Sequence, residues 1–576
     1  MSGAIARVLR FLVPGRETGS SMRFIVRGVG ALVLGLVLCW SRSADACGCL
    51  APPSPAEPIV QAGERILFAV QNGVVTAHIQ VQYAGDAKDF GWLLPLPSVP
   101  TLTVGTDELF NQLAIATDPS YVVKQNFTGE GCPPPPLFSC GCYAPVALIE
   151  RTQGNTQDAG SNSALVTRSS VGPYDYAVLR ADDQAEMLQW LADNRFYVPT
   201  GTDSAVGPYI RPGSYFLALK LKAGASTGDI TPVVVKYPSS LPMIPIILTR
   251  VGAQPNMGVL VYLLGNGRGI PRNYHHVVLN DALVDWFGGA TNYGALVTRA
   301  VAEAPQRHAF VTDYAGPSSV MKDKLAAPGR FGTEADFAAS PTPREFLNLL
   351  FNSDYADPTF MPPALPAPVV RVLLTQIPVP DQLTAQGVTP SQFFSNFGAY
   401  NLSNYPGYMT TFDAPSLARK LFAEFVTPVR EANALFTEFP LLTRLYTTLS
   451  PEDMTEDPVF SFNPDLPEVQ RTRTATFTAG CGPGQLETAQ GWQFENVSSG
   501  AGPSTLDSPA ALRVEVLSEE GQPTVVTDNQ EAIHAVFQHV GDKANPPGPQ
   551  QGCSTVDPLS LGIFAVMFLR RRSSAR

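Results

Sequence analysis

The sequence predicts an α+β fold: a β-rich antiparallel N-terminal domain, then a region of short helices, then a small β-containing C-terminal segment. Three observations predict it: alternating apolar residues with hairpin signals in the first half, proline-started helical segments in the second, and renewed alternation near the end. Because 576 residues exceed what one hydrophobic core usually organises, we expect several units. They are the β-rich domain at 47–325, the helix-rich region at 326–465 and a β/α segment at 466–544.

The clearest strands are two apolar runs at 65–70 and 74–83. They flank Asn72-Gly73, a strong hairpin signal because the turn needs positive φ at both central residues. The second run alternates apolar and polar residues, so one face should be buried and the other wet. His78 belongs to the polar set, which predicts a solvated side chain rather than a ligand.

Other strands and one helix follow in the same half. Asp183 can cap a helix, with Glu186 in the return position. Apolar runs predict further strands at 90–97, 215–221, 231–237, 244–251 and 257–264.

Short helices are predicted after Thr342. Three segments share a hydroxyl cap, a proline at the first helical position and an acid or amide three residues beyond the cap, a pattern that satisfies the free amides of a helix start. Another helix should follow Asp413, and strands should return around 472–478 and 512–516. The three segments are Thr342-Pro343-Arg344-Glu345, Thr389-Pro390-Ser391-Gln392 and Ser450-Pro451-Glu452-Asp453.

Composition argues against one class of partner. Charged residues are only 15% of the chain, and 39 basic against 50 acidic residues give a net charge of −11. Proteins that bind nucleic acid neutralise phosphates with clustered Lys and Arg. Nucleic acid is therefore not an expected partner.

The N-terminus predicts export. A basic start at Met22, an apolar run at 29–40 and a small-residue exit are typical of a secretory signal peptide. We expect residues 1–46 to be the signal, cut after Ala46, with Met22 as the true start. Acylation of Cys47 and a retained membrane anchor are the alternatives, although the run is short of the roughly 20 residues that span a bilayer.

The C-terminus predicts attachment to the envelope. A proline-rich linker at 545–552 precedes Cys553, an apolar run at 559–569 and three arginines, and the arginines should stay cytoplasmic and orient the body outward. The tail at 553–576 resembles the myxobacterial C-terminal sorting tail. That resemblance implies processing near Cys553 and attachment to the cell surface, and a frayed terminus without function is the alternative.

Cysteine usage is consistent with export. Of eight cysteines, six remain after the signal peptide and the tail are set aside. An even number in an oxidising compartment predicts three disulfides, and all fifteen connectivities stay open. A metal site is the alternative, but the Cys-Gly-Cys spacing differs from that of zinc sites. The six are Cys47, Cys49, Cys132, Cys140, Cys142 and Cys481.

Two glycine-rich strings match catalytic motifs, but neither is followed by the helix that the motif requires. The G-x-S-x-G string at 224–228 lies between two strands rather than before a helix, so we interpret it as a hairpin tip. The glycine-rich string at 265–269 could cradle a phosphate. Pro271 stands where a helix should open, so a loop is predicted instead.

One cluster could carry chemistry. His275 and His276 are followed closely by Asp281 and Asp285. Adjacent histidines point to opposite faces of a strand, which disfavours a shared metal ion, and an acid/base role is the remaining alternative. With six histidines and no matching serine or cysteine, no catalytic constellation or cofactor is expected.

Several strings resemble the bacterial family labelled domain of unknown function 2330. The resemblance covers roughly residues 47–465 and implies an exported, cysteine-bearing envelope domain. It brings no catalytic residue, substrate or cofactor. The strings are residues 61–68 (QAGERILF), residues 90–97 (FGWLLPLP), residues 242–245 (PMIP), Asn280-Asp281 ahead of Asp285-Trp286, and the stretch from Leu445-Tyr446 to Asn463-Pro464.

Three functional hypotheses follow. The first is a non-catalytic binding, adhesion or structural protein at the cell surface or outer membrane, with the periplasm and the medium as alternative locations. Its partners would be the envelope membrane through the tail, the export and sorting machinery, and a protein or glycan ligand. The second is a metal-assisted envelope hydrolase using His275 or His276 with Asp281 or Asp285. The third is an accessory factor for assembling or sorting other surface proteins.

Overall fold

Strands supply most of the framework of the chain. A computed structural model describes residues 60–84, 91–128, 164–194, 196, 202–223, 230–325, 332–352, 365–400, 411–480, 483–497 and 507–543, all within one unit, Cys47–Arg576. The strands in this part are β1 (Val60–Gln71), β2 (Val74–Ala84), β3 (Gly91–Leu96), β4 (Thr101–Val104), β5 (Ser120–Phe127), β6 (Leu165–Val171), β7 (Tyr174–Arg180), β8 (Tyr215–Leu221), β9 (Val233–Pro238), β10 (Ala253–Gly265), β11 (Arg268–Pro271), β12 (His275–Leu279), β13 (Ala309–Pro317), β14 (Leu441–Leu449), β15 (Phe460–Asn463), β16 (Thr472–Ala479), β17 (Gly484–Glu487), β18 (Gln493–Val497), β19 (Ala511–Val516) and β20 (Thr524–Asp528).

The strands form one large sheet and three smaller ones. The ten-stranded sheet has the order β20-β19-β12-β13-β14-β10-β1-β2-β9-β4. The smaller sheets are β18-β17-β16-β5, β3-β8-β7-β6 and β11-β15. The predicted α+β class is confirmed. Most pairs are antiparallel, but β1 with β10, β12 with β13 and β5 with β16 are parallel, a direction that local alternation does not encode.

Strand pairing joins segments that are far apart in the chain. Strand β14, from the helix-rich stretch, lies between β10 and β13 of the first half. Strand β16, from beyond residue 465, pairs with β5. These pairs assemble the walls of the cavity that is described below.

Helices cover the sheet and fill the second half of the described chain. A π-helical turn at Phe422–Val426 joins α11 to α12. The helices are α1 (Asp107–Thr117), α2 (Gln184–Asp193), α3 (Thr202–Val206), α4 (Ile246–Thr249), α5 (Tyr293–Ala302), α6 (Glu334–Ala338), α7 (Pro343–Phe351), α8 (Ala367–Leu374), α9 (Asp381–Ala385), α10 (Pro390–Ser395), α11 (Ala414–Leu421), α12 (Thr427–Glu438) and α13 (Gln530–Lys543), with short 3₁₀ turns at Gly207–Tyr209, Asp281–Leu283, Pro305–Arg307, Ser318–Met321 and Phe397–Ala399.

Most of the predicted helix starts are present. Asp183 accepts a hydrogen bond from the Glu186 amide at 2.9 Å and caps α2. Thr342 caps α7, and Thr389 forms a complete capping box with Gln392 at the start of α10. Such caps stabilise a helix start by about 1 kcal/mol because they satisfy amides that lack a partner within the helix. In the described part of the chain, no helix is both long and apolar enough to cross a membrane.

Two predicted elements are wrong. Residues 244–251 were expected to form a strand, but they contain the short helix α4, whose Ile247 amide donates to Asp457 at 3.0 Å. The segment after Ser450 turns instead of starting a helix. The Ser450 hydroxyl accepts from the Asn256 amide at 3.0 Å, so this residue is engaged by a neighbouring strand rather than by a helix of its own. Helices α1, α3 and α5, within the strand-rich half, were not predicted.

The hairpin of β1 and β2 is confirmed, with Asn72 at φ 53° and Gly73 at φ 72°. The prediction that His78 is solvated is wrong, because its side chain is only 3% exposed. Its partner across the hairpin, Leu67, belongs to a core that the helices cover. Burial, aided by nearby Lys236, lowers the pKa of His78 to about 3, so the imidazole is neutral.

Candidate functional site

A cavity of about 670 Å³ opens beside the edge of the large sheet. Strands β11, β12, β13, β16, β19 and β20 contribute to its wall. We call it the arginine cavity, after three of its lining residues. The charged and titratable side chains that matter below are Arg268, Arg473, Arg513, His276, Asp281 and Glu515.

A chain of hydrogen bonds runs through His276 in this wall. His276 lies on β12, directly across from Glu515 on β19. Its Nδ1 is 3.1 Å from Glu515 Oε2, and its Nε2 is 3.0 Å from Thr312 Oγ1. Burial lowers the pKa of His276, so the ring is neutral at pH 7. Nδ1–H therefore donates to Glu515, and Nε2 accepts from the Thr312 hydroxyl.

The Glu515 carboxylate is held in its ionised form. Burial alone raises the pKa of Glu515, but hydrogen bonds from His276 and Arg513 outweigh it, so the net pKa is lowered. Arg513 Nε donates to Glu515 Oε1 at 2.8 Å. The charge of Arg513 is therefore already matched within the protein.

Arg268 is the most buried cation in the wall, with 8% of its surface exposed. Its Nη2 donates to Thr312 Oγ1 at 3.0 Å, and its Nη1 lies 3.4 Å from the Pro467 carbonyl oxygen. Its Nε makes no hydrogen bond, and no carboxylate of the described residues lies within 4.0 Å. Burial lowers the pKa of Arg268 to about 10, with Glu515 acting in the opposite direction, so the guanidinium stays charged at neutral pH.

Arg473 is the second guanidinium of the cavity wall with no carboxylate within 4.0 Å among the described residues, although its charge opposes the raised pKa values of Asp281 and Asp313. It lies 5.5 Å above the ring of Tyr121, and its Nη1 is 3.4 Å from the Arg471 carbonyl oxygen. Tyr121 in turn packs edge-on against Trp286, at 5.2 Å between ring centroids. The edge-to-face packing of these rings supports this side of the cavity.

The sequence profile of one family matches residues 42–338, more than half of the chain. The family is described as "Uncharacterized protein conserved in bacteria (DUF2330)". The chain belongs to the DUF2330 family. Comparisons with curated proteins and with solved structures gave no match.

The matched residues of this DUF2330 protein contain only part of the cavity. Arg268, His276 and Thr312 lie inside the match, whereas Arg473 and Glu515 lie beyond it. The resemblance at 445–464 also falls outside the matched range. The cavity is therefore built partly from family residues and partly from strands that follow them.

The DUF2330 structure separates the four residues of the predicted cluster. His276 and Asp281 line the arginine cavity. His275 points away, and its Nδ1 lies 3.3 Å from the His308 carbonyl oxygen. Asp285 closes a local turn instead, because its carboxylate accepts from the Gly288 amide at 2.9 Å and the Thr291 hydroxyl at 2.7 Å.

Asp281 anchors a loop to the cavity wall. Its two oxygens accept hydrogen bonds from the Thr488 hydroxyl and the Gln490 amide, each at 2.8 Å. Burial raises the pKa of Asp281 to about 6 despite these bonds. Among the described residues, no three His, Cys, Asp or Glu side chains are grouped so that they could hold a metal ion.

The sequence pattern around Arg268 was interpreted as a loop and not as part of a binding site. Arg268 stands inside the glycine-rich string at 265–269, which forms a tight turn into β11, as the loop prediction implied. A Cβ at Gly269 would lie 2.5 Å from Leu263, and one at Gly267 would lie 2.9 Å from the Asn463 backbone. These glycines allow close strand contact, which brings the arginine between them into the wall.

Several predicted positions lie outside the described residues. They include the signal cleavage residue, the processing residue of the tail, the G-x-S-x-G string and all six disulfide candidates. These are Ala46, Cys553, residues 224–228, Cys47, Cys49, Cys132, Cys140, Cys142 and Cys481.

Proposed function

We propose that this DUF2330 protein is an exported cell-envelope protein that binds the anionic group of a ligand in the arginine cavity. The group is a carboxylate or a phosphate ester, carried by an envelope glycan or protein. The observation that supports this most strongly is the burial of Arg268 without an acidic partner among the described residues.

The charge balance inside the cavity favours an anion. A buried charge without a counterion is unfavourable by several kcal/mol, so a site of this kind attracts one from solution. The acids in the wall are engaged: Glu515 by His276 and Arg513, and Asp281 by hydrogen-bond donors of its own. The third acid in the lining, Asp528, accepts a hydrogen bond from the Gln530 amide at 2.9 Å. Arg268 therefore keeps a net attraction for a ligand, and its planar fork suits a carboxylate or phosphate.

The histidine relay positions Arg268. The Thr312 hydroxyl donates to His276 and accepts from Arg268. Its oxygen is thus held by two hydrogen bonds, and its side chain is only 4% exposed. A hydroxyl that donates to a carboxylate-oriented histidine is also the arrangement of an activated nucleophile. We favour binding over acyl transfer because the Thr312 hydroxyl is buried and its oxygen also accepts a hydrogen bond from the Arg268 guanidinium.

Replacing Arg268 tests anion binding. We expect Arg268→Gln to weaken the binding of glucuronate and of inorganic phosphate by about tenfold or more, because a charge-assisted hydrogen bond in a dry wall is lost. Isothermal titration calorimetry at low ionic strength measures both probes. Arg272→Gln is the matched control. Arg272 is half exposed, lies outside the cavity and lies 3.6 Å from Glu519, so we expect less than a twofold change.

Two results would count against this function. Equal losses in both variants would mean that only the overall charge matters. Hydrolysis of p-nitrophenyl acetate that disappears in His276→Gln would instead support the hydrolase hypothesis, with the relay acting as the base system.

Export is supported by the sequence of both ends and by the cysteines. We expect the mature chain to begin at Cys47, to be processed near Cys553 and to carry disulfides among the six remaining cysteines. Cell fractionation with mass spectrometry of the termini and non-reducing peptide mapping measures all three. Recovery of an intact 576-residue chain with free thiols from the cytosol would refute it.

A further inference from the structure

A second cavity, of about 310 Å³, lies against the β1–β2 hairpin and shares no lining residue with the arginine cavity. Its wall is mainly apolar. We call it the Glu64 cavity, because Glu64 is the acidic residue among those described in its lining. The apolar side chains include Ile66, Phe68, Ile79, Leu94, Leu96 and Met243.

Glu64 occupies a position where the sheet pattern calls for an apolar residue. Strand β1 lies inside the large sheet, between β10 and β2. Residues two apart on a strand share a face, so Glu64 faces the same way as Ile66 and Phe68. In register it is paired with Val259 of β10. The carboxyl is thus surrounded by hydrocarbon.

The Glu64 carboxyl has an unsatisfied oxygen. The residue is 6% exposed, and its Oε2 has no hydrogen-bond partner among the described residues. Burial raises the pKa of Glu64 to about 7, so the carboxyl changes charge in the neutral range. Buried polar atoms without partners are rare in folded proteins, and a bound ligand or ion is one of the explanations for them.

Among the described residues that line the cavity, no polar group donates a hydrogen bond to Glu64 Oε2. The Tyr209 hydroxyl donates to both oxygens of Asp457 at 2.8 Å. Burial raises the pKa of the Tyr237 phenol, which therefore stays neutral near pH 7. Arg211 is solvent-exposed.

We propose that the Glu64 cavity binds an amphiphilic primary amine, with its ammonium group on the Glu64 carboxylate and its alkyl chain along the apolar wall. A single carboxylate among apolar side chains is complementary to a ligand that carries one cationic group and an alkyl chain. A neutral ligand would leave the ionised acid without a counterion, and a second acid would be repelled by it. Binding of the cation keeps Glu64 ionised, so affinity should rise with pH until the carboxyl is fully ionised.

Hexylamine tests this, with 1-hexanol as the neutral probe of equal chain length. On the purified full-length chain, we expect calorimetry to show hexylamine binding more tightly than hexanol at pH 8. Hexylamine binding should weaken by about tenfold for each pH unit below the Glu64 pKa, because the acid must lose its proton. Burial raises the pKa of the Tyr237 phenol, which stays protonated over this range, and Arg211 is the other charged side chain in the lining. Burial raises the pKa of Asp457 beside Tyr209, so the comparison with a Glu64 variant isolates the Glu64 contribution.

Glu64→Gln should lower hexylamine affinity at pH 8 by about tenfold or more and remove its pH dependence, while hexanol changes by less than about threefold. Glu519→Gln removes the same charge at a half-exposed carboxylate outside the cavity and should leave both affinities unchanged. Ala77→Leu, which adds bulk to the cavity wall, should weaken both probes. Hexylamine binding that survives in Glu64→Gln, or that never exceeds hexanol binding, would overturn the proposal. Neither result bears on the arginine cavity.

Discussion

The Glu64→Gln variant should abolish a pH-dependent loss of stability of about 3 kcal/mol. The pKa of Glu64 is raised from 4.5 to about 7, with burial as its cause, so the folded state binds the proton more tightly than the unfolded state. The stabilising effect of this proton is complete below the unfolded pKa of 4.5. It is lost as pH rises through about 7, at about 1.4 kcal/mol per unit. Glutamine has no such titration.

Urea unfolding at about pH 5 and pH 8.5 measures the difference. Asp281 and Asp313, with pKa values raised by burial to about 6 and about 7, also lower the stability of the wild type as pH rises. His78 and His276, with pKa values lowered by burial, act in the opposite direction. The Glu64 share is therefore the difference between the wild type and the Glu64 variant. Glu64→Gln should reduce the loss of unfolding free energy between the two pH values by about 3 kcal/mol. Glu519→Gln, at a half-exposed carboxylate, should retain the full drop. An unchanged drop in Glu64→Gln would show that its carboxyl is solvated.

The Trp286→Ala variant should lose about 3–5 kcal/mol of unfolding free energy. Trp286 is 2% exposed and belongs to the core beneath α5. Its indole Nε1 donates to the Asp281 carbonyl oxygen at 2.8 Å, and its ring packs against Tyr121. Alanine would leave a large cavity in the wall that carries Arg473, and the Asp281 carbonyl would keep only its hydrogen bond from the Val284 amide at 3.2 Å.

Trp286→Phe separates the two contributions. It keeps most of the aromatic volume and removes the hydrogen bond, so a loss of about 1–2 kcal/mol is expected. Urea titration at a single pH, with unchanged m-values, measures both variants. A loss below about 1 kcal/mol in Trp286→Ala would mean that the surrounding core collapses onto the gap.

Local structure was predictable where the interactions stay local. The Asn72-Gly73 turn needs only backbone conformations that these two residues adopt readily. The caps at Asp183, Thr342 and Thr389 join a side chain to an amide three residues away. Such signals lie within a few residues of sequence, so no knowledge of the fold was required.

Predictions failed where a distant neighbour decided the outcome. His78 alternates correctly along β2, yet helices from the second half cover the face that alternation assigns to solvent. Ser450 has the pattern of a helix cap, but its hydroxyl accepts from Asn256, 194 positions earlier. Arg268, in a string interpreted as a loop, became part of a cavity because the neighbouring glycines admit another strand.

By itself, the sequence determined the α+β class, the hairpin and most helix starts, because apolar periodicity and capping act over short spans. It also identified His276 as a candidate site residue. Only the tertiary structure decided that His276 meets Glu515, 239 positions away, and that Arg268 is buried beside Thr312. The tertiary structure alone also decided that Glu64 is buried among apolar side chains. The physical reason is that burial and charge compensation depend on which strands pair, and pairing across hundreds of residues leaves no local trace.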